Sequence, residues 1–280
     1  MSGKKVRKIL GALWKAGGTT IGTIWSIMEI VSWYFPKWKV VEFYQNHVGT
    51  IIFPAVAVML CRGWLLWKEE HVITFSIKGG KVRIRTGDIL RMKHGLTVVG
   101  INRQLNTAQE QIGERSIHRA VLDKYGQKAL DLAFENGRRQ IEAGRQFFQE
   151  KLDGREFLFL CMSDLNENAA ASTTMDLMRN ALDDLFFHQN VLRVPEGRIY
   201  IPILGTGEGG FCLNKLDTIK FIVERFGSFQ RQVDENSTVK IKELCVVIYR
   251  KDNHEIDWGN LREWAGQMGQ YCMECPKFGE

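Results

Sequence analysis

The chain has 280 residues, 25% of them charged and 45% hydrophobic, with a formal net charge of +6. Such a length allows one domain with appendages or two small domains, and the apolar share is enough for a packed core. The positive excess is local, because Lys4, Lys5, Arg7, Lys8 and Lys15 precede any acid and the remainder is nearly neutral, so no nucleic-acid-binding face is expected.

After the basic start come two apolar runs. "GGTTIGTIWSIMEIVSWYFP", residues 17–36, contains Glu29 as its only charge, and "HVGTIIFPAVAVMLCRGWLLW", residues 47–67, contains Arg62 near its end. At roughly 1.5 Å per residue, ~20 residues cross a ~30 Å hydrocarbon core. Trp33, Tyr34, Trp38, Trp64 and Trp67 lie near the run ends, where interfacial aromatics belong. The pattern predicts a two-helix transmembrane hairpin within residues 1–70. A cleaved signal peptide fits poorly, since the first run is long, lacks a small-residue cleavage site and is followed by a second. Two buried helices of a soluble domain are the alternative. Basic residues stay cytoplasmic. The N-terminus and residues 71–280 are therefore expected in the cytoplasm, with "KWKVVEFYQN" outside. Glu29 and Arg62 either pair within the hairpin or line an oligomer interior. Snorkelling to the headgroups is a further option for Arg62.

The rest of the chain alternates strand and helix. "HVITFSI" and "KVRIR" predict a hairpin about Gly79 and Gly80, and "LTVVGI" a buried strand. "SIHRAVLDKYG" predicts a helix capped by Ser116 and stopped at Gly126. "REFLFLCM" predicts a strand. "TTMDLMRNALDDLFF" has helical periodicity, with Met175, Leu177, Met178, Leu182 and Leu185 mostly on one face. "RIYIPIL" predicts a strand. "LNKLDTIKFIVERFG" predicts a helix that turns Leu213, Leu216, Ile219, Ile222, Val223 and Phe226 inward and ends at Gly227. "VKIKELCVVIYR" predicts a last strand, and the C-terminal segment with Trp258 and Trp264 an added helix and tail. This order predicts an α/β sandwich about a largely parallel sheet, with ligands at the carboxyl ends of its strands.

"IPILGTGEGGF", residues 201–211, occupies one such end and leads into a helix, whose first amides favour anions. Gly205, Gly207 and Gly210 match the G-x-G-x-x-G dinucleotide pattern. A dinucleotide fold places that loop after its first strand, whereas here only one good strand remains. The ribose-binding acid should end the second strand, and Glu224 sits within a helix. No Lys-Ser or Lys-Thr pair follows the glycines, which excludes a P-loop. The six cysteines are too scattered for a disulfide framework. "CMEC" at 272–275 lacks two further zinc ligands at suitable spacing. Neither a metal nor a resident cofactor is expected.

Five stretches in one order carry a different resemblance: "GDIL" at 87–90, "VVGINRQLNT" at 98–107, "ERSIHRAV" at 114–121, "GRQFFQEKLDGREFLFLC" at 144–161, and "IPILGTGEGGF". Together they resemble the macro domain, an ADP-ribose-binding module, over about residues 72–250. The resemblance implies a three-layer sandwich with a mixed, largely parallel sheet. It assigns Asp88 to the adenine amino group, with Ile89 packing beside the base and Asn102 near the distal ribose. Ile112, Gly113, Glu114, Arg115 and Ser116 fall in the first ligand loop. Leu204, Gly205, Thr206, Gly207, Glu208, Gly209, Gly210 and Phe211 fall in the second, around the diphosphate. A turn-capping acid is the plain alternative for Asp88, a core residue for Phe211, and a structural role for His118. The first loop reads "NTAQEQIGERS", without the glycine run and second asparagine of hydrolytic members, and no nucleophile-base arrangement is evident. Binding, not catalysis, is therefore expected.

The pairing of membrane runs with such a domain resembles the membrane-anchored macro-domain effector of type II Thoeris antiphage defence. That resemblance implies a diffusible signal, a histidine conjugate of ADP-ribose, made from NAD by a TIR-domain partner enzyme. It further implies self-association and damage to the inner membrane. A membrane-tethered ADP-ribosyl hydrolase, or an ADP-ribose reader without effector activity, is the rival.

Overall fold

A computed structural model describes residues 30, 33, 34, 57, 61, 72–105, 108, 112–114, 116–165, 171–205, 211–232 and 240–274. The chain divides into two units, Met1–His71 and Val72–Glu280. Most of the two expected spans, Glu29 and Arg62 included, lies outside the described residues. No helix among the described residues is long and apolar enough to cross a membrane.

The second unit opens with the expected hairpin, β1 (Val72–Ile77) and β2 (Gly80–Gly87), turned at Gly79 with φ +74°. β3 (Leu96–Asn102) follows. Helix α1 (Ile117–Tyr125) starts where predicted: the Ser116 side chain accepts from the Arg119 amide, and Gly126 closes the other end. Gly126 then serves as the N-cap of α2 (Gln127–Glu142), a helix that the sequence pattern does not predict. Its apolar face is thin, with Leu130, Ala133, Phe134 and Gly137 as the buried residues. Next come β4 (Phe147–Leu152), β5 (Arg155–Leu165) and the short β6 (Ala171–Ser172). Thr174 caps α3 (Met175–Phe187). β7 (Arg198–Pro202), α4 (Lys215–Gln232), β8 (Glu243–Tyr249) and α5 (Trp258–Glu274) complete the order.

Two boundaries differ from expectation. α4 does not stop at Gly227 but runs to Gln232, because Phe229 and Gln230 are themselves buried, and Gln230 donates from Nε2 to the Ile241 carbonyl. A glycine inside a helix costs about 1 kcal/mol against alanine, less than one well-buried aromatic returns. The last strand begins at Glu243, since Lys242 instead donates its amide to Gly197 and accepts from Lys81.

The sheet runs β1-β2-β8-β7-β3-β5-β4, with β6 paired to β5. β2, β8, β7, β3 and β5 are mutually parallel, and β1 and β4 close the two edges antiparallel. Alternation along the strands feeds two cores. Val98, Leu158, Leu160, Ile201, Val246 and Ile248 face one that α3, α4 and α5 complete. Val99, Phe157, Phe159, Tyr200, Cys245 and Val247 face another that α1 and α2 complete. The result is the three-layer sandwich with a mixed, largely parallel sheet. α2 can lie close to the sheet only because residue 137 is glycine, for a Cβ there would come within 2.4 Å of the Phe148 ring. Phe134, Phe148 and Phe159 pack mutually at centroid separations of 5.0–5.5 Å.

Candidate functional site

Parallel strands bring all their carboxyl ends to one side of the sheet. Across it, in spatial order, β2 leads into Asp88, β8 ends at Tyr249, β7 leads through Ile203 into Leu204 and Gly205, and β3 ends at Asn102. Three strand spacings of roughly 4.8 Å separate the first from the last, about 14 Å in all. Only an elongated ligand could reach all four positions.

Asp88 begins the row. Its Oδ1 accepts from the Leu90 amide at 3.0 Å and so caps a single 3-10 turn, Ile89–Arg91, while Oδ2 meets Arg91 Nε at 3.2 Å. The turn-capping role is therefore real. It leaves lone pairs on a partly exposed carboxylate and fixes where that carboxylate sits. Ile89 is buried in the second core, 7% exposed, and Leu90 beside it. Tyr249 stands opposite Gly87 in register and is 53% exposed, a large aromatic at the head of a central strand. Strand periodicity alone does not single it out. The signal available was "VVIYR", a last strand that ends in an aromatic residue.

Gly205 adopts φ +71°, and its carbonyl accepts from the Phe211 amide at 3.1 Å. A Cβ at 205 would approach Phe211 Cβ to 2.9 Å and Met178 Cε to 3.1 Å, so glycine is required by conformation and by space. Leu204 and Phe211 are both buried in the first core. Thr206, Gly207, Glu208, Gly209 and Gly210 lie outside the described residues. Beyond Phe211, Asn214 caps α4 and the Asp217 carboxylate steadies that cap. Asn214 Oδ1 accepts from the Asp217 amide at 2.9 Å, and Asn214 Nδ2 donates to Asp217 Oδ2 at 2.7 Å.

Asn102 ends β3 at a register shift and is 6% exposed. The adjoining strand end is tied by Arg103, whose amide donates to Ser163 at 2.9 Å, and by Ser163 Oγ, which donates to Ile101 at 3.3 Å. In the first expected loop, Ile112 is buried, Gly113 accepts from the Ser116 amide at 3.0 Å, and Glu114 is exposed. Arg115 lies outside the described residues. Ser116 is committed to capping α1, whose N-terminus follows.

His118 is buried against Phe134, 4% exposed, with no hydrogen-bond partner on Nε2 among the described residues. Burial lowers its pKa to about 4, so it is neutral at physiological pH. Burial likewise pushes the Cys161 thiol up to about 12 and the Cys245 thiol to about 11. Neither is a thiolate nucleophile. Among the described residues no group of three or more His, Cys, Asp or Glu is placed to hold a metal.

A second set of residues, not expected from sequence, braces this end of the sheet. Asn253 Oδ1 accepts from Thr86 Oγ1 at 3.0 Å and from Trp258 Nε1 at 2.9 Å, joining β2 to the start of α5. Lys215 Nζ, at the start of α4, reaches Asp252 at 2.7 Å and Glu255 at 2.9 Å. Burial alone would lower the Lys215 pKa, but hydrogen bonds to the two carboxylates outweigh it and the net direction is upward. The turn after β8 thus holds together the segments that carry Asp88, Tyr249 and the glycine loop.

The model of the family described as "Thoeris protein ThsA, Macro domain" matches residues 82–242, more than half of the chain. No curated protein matches it. Among solved structures, the macrodomain of Mycobacterium tuberculosis DarG is similar at 18% identity and a TM-score of 0.44, over 61% of this chain and 98% of that one. An Oceanobacillus iheyensis macrodomain with ADP is similar at 15% identity and a TM-score of 0.45, over 72% and 97%. A Trypanosoma brucei macrodomain in complex with ADP-ribose is similar at 14% identity and a TM-score of 0.44, over 66% and 68%. The family match alone carries the assignment.

Proposed function

The chain belongs to the Thoeris ThsA macro-domain family, and from that premise we propose that it is an antiphage-defence effector whose Val72–Glu280 unit binds an ADP-ribose derivative. The ligand we favour is a histidine conjugate of ADP-ribose supplied by a TIR-domain partner enzyme. One observation supports this above others: the order Asp88, Tyr249, Gly205, Asn102 along the strand ends. A carboxylate acceptor beside an exposed aromatic suits a base that donates an amino hydrogen. A glycine-bounded loop ahead of a helix suits a diphosphate. A strand-end asparagine beyond it suits a sugar.

In this reading residues 17–36 and 47–67 span the inner membrane, with the N-terminus and the nucleotide-binding unit cytoplasmic. Ligand binding favours self-association, and the assembled spans, with Glu29 and Arg62 inside, disrupt the bilayer and abort infection. Occupancy shifts that equilibrium only by as much as the ligand prefers the assembled state. A binder is preferred to a hydrolase because the buried thiols and His118 offer no activated nucleophile or accessible base.

The test is calorimetry of the full chain in detergent with ADP-ribose and with its histidine conjugate, followed by mass spectrometry of the recovered nucleotide. Saturable binding with the nucleotide returned intact is expected. Turnover would establish the hydrolase reading instead, and an absence of binding at millimolar concentration ends the proposal. Binding without any ligand-dependent leakage from proteoliposomes would leave an ADP-ribose reader that is no effector.

A further inference from the structure

The turn that Asp88 caps is three residues long. Such a turn makes strained hydrogen bonds and does not hold itself. Here the carbonyls of Leu90 and of the C-cap Met92 are taken by two cations from other elements. Arg155, the first residue of β5, donates from Nη1 to the Leu90 carbonyl and from Nη2 to the Met92 carbonyl, the latter at 2.6 Å. Lys124, in the last turn of α1, donates from Nζ to the same Leu90 carbonyl at 3.1 Å. Leu90 is thus held from both sides, its N–H by Asp88 and its C=O by Arg155 and Lys124.

Neither cation has a carboxylate partner among the described residues. Both spend their charge on backbone carbonyls, in charge-assisted bonds stronger than neutral ones. Their positions are secured by the core beneath. Arg155 lies 5.4 Å from the Phe157 ring centroid and Lys124 5.3 Å from that of Tyr125, and those two rings pack edge-on at 5.4 Å. The brace continues at Lys93, whose carbonyl accepts from Tyr200 Oη at 2.9 Å.

We infer that Arg155 and Lys124 are positioning residues that set the selectivity of this site for adenine, acting through Leu90 on the Asp88 carboxylate. The inference rests on the ADP-ribose reading above. Its physical content is directional. An ionised carboxylate only accepts hydrogen bonds. Adenine offers an amino donor at position 6, whereas hypoxanthine offers a carbonyl oxygen there, which a carboxylate repels. Discrimination between the two bases therefore reports where Asp88 stands. Contacts to the diphosphate and the distal ribose do not depend on it.

The experiment measures Kd of the full chain for ADP-ribose and for inosine diphosphate ribose, in wild type, Arg155→Met, Lys124→Met and Arg155→Lys. Wild type should prefer ADP-ribose by about tenfold or more, the worth of one charge-assisted hydrogen bond. Arg155→Met should lose about tenfold toward ADP-ribose while its affinity for the inosine analogue changes by less than about twofold. Lys124→Met should show the same pattern, smaller, and it stands in should Arg155→Met fail to fold. Arg155→Lys should recover part of the preference. A parallel fall in both affinities marks a merely structural role and overturns the inference alone, as does an unchanged ratio in every variant or a wild type without preference. A wild type that binds neither nucleotide removes the ADP-ribose reading and this inference with it.

Discussion

Asp88 caps its turn and, in the proposed reading, also accepts from the adenine amino group; the two tasks separate chemically. Asparagine is as good a helix cap as aspartate but brings no charge. Asp88→Asn should therefore keep the wild-type melting temperature while ADP-ribose affinity falls about 10- to 100-fold, the worth of a charge-assisted hydrogen bond. Calorimetry beside a thermal melt checks both halves. His118 makes a different prediction. Its folded-state pKa of about 4 lies below the ordinary 6.5. The unfolded chain therefore takes up a proton first as the pH falls. Stability tied to the neutral ring is complete above pH 6.5 and drains away between 6.5 and about 4. By linkage this amounts to about 2 kcal/mol at pH 5. His118→Phe, which keeps the packing against Phe134, should narrow the gap between urea midpoints at pH 7 and pH 5. An unchanged gap would show that the ring titrates normally.

At the scale of elements, the loops at the strand ends are held by their bases. Gly205, with its positive φ and its bond from Phe211, anchors the second loop where β7 ends. Gly205→Ala must carry a side chain through the left-handed region, at about 1–2 kcal/mol, and must displace Phe211 and Met178 besides. Urea denaturation should show at least that loss, and ADP-ribose binding should weaken with it. A fully stable variant would mean that the segment does not need this conformation. The helices teach the complementary lesson. α1 and α3 begin at Ser116 and Thr174 because those hydroxyls accept the amides of Arg119 and Leu177, a signal written locally. α4 ends beyond Gly227 because its burial decides, which is not a local property.

For the molecule as a whole, the ligand unit and the apolar N-terminal runs must communicate if the proposal holds. Glu29 is the residue whose charge has no use in lipid. Glu29→Leu should abolish ligand-dependent dye release from proteoliposomes and leave nucleotide Kd within about twofold of wild type, since the proposed ligand residues all belong to the other unit. Undiminished release from that variant would discard a role for the charge. Release without ligand would instead place the switch elsewhere.

The sequence by itself determined the alternation of strand and helix, the cap at Ser116, the glycine at 205 and the position of Asp88 at a strand end. Each of these follows from chemistry within a few residues, whether a hydroxyl before an apolar run, a φ only glycine adopts, or a period of two against 3.6. It also placed the candidate ligand residues in order along the chain. α2 is not legible in the sequence because its buried face is held to Leu130, Ala133, Phe134 and Gly137, too sparse for a helical period. Only the tertiary structure decided that β8 inserts between β2 and β7, and so that Tyr249 stands between Asp88 and Gly205. It also decided that Phe211 belongs to the core and that Arg155 and Lys124 grip Leu90. Contacts between residues 65 and 34 positions apart in sequence are made by parallel strand pairing and by helices crossing the sheet. No local preference encodes which two distant segments that packing will bring together.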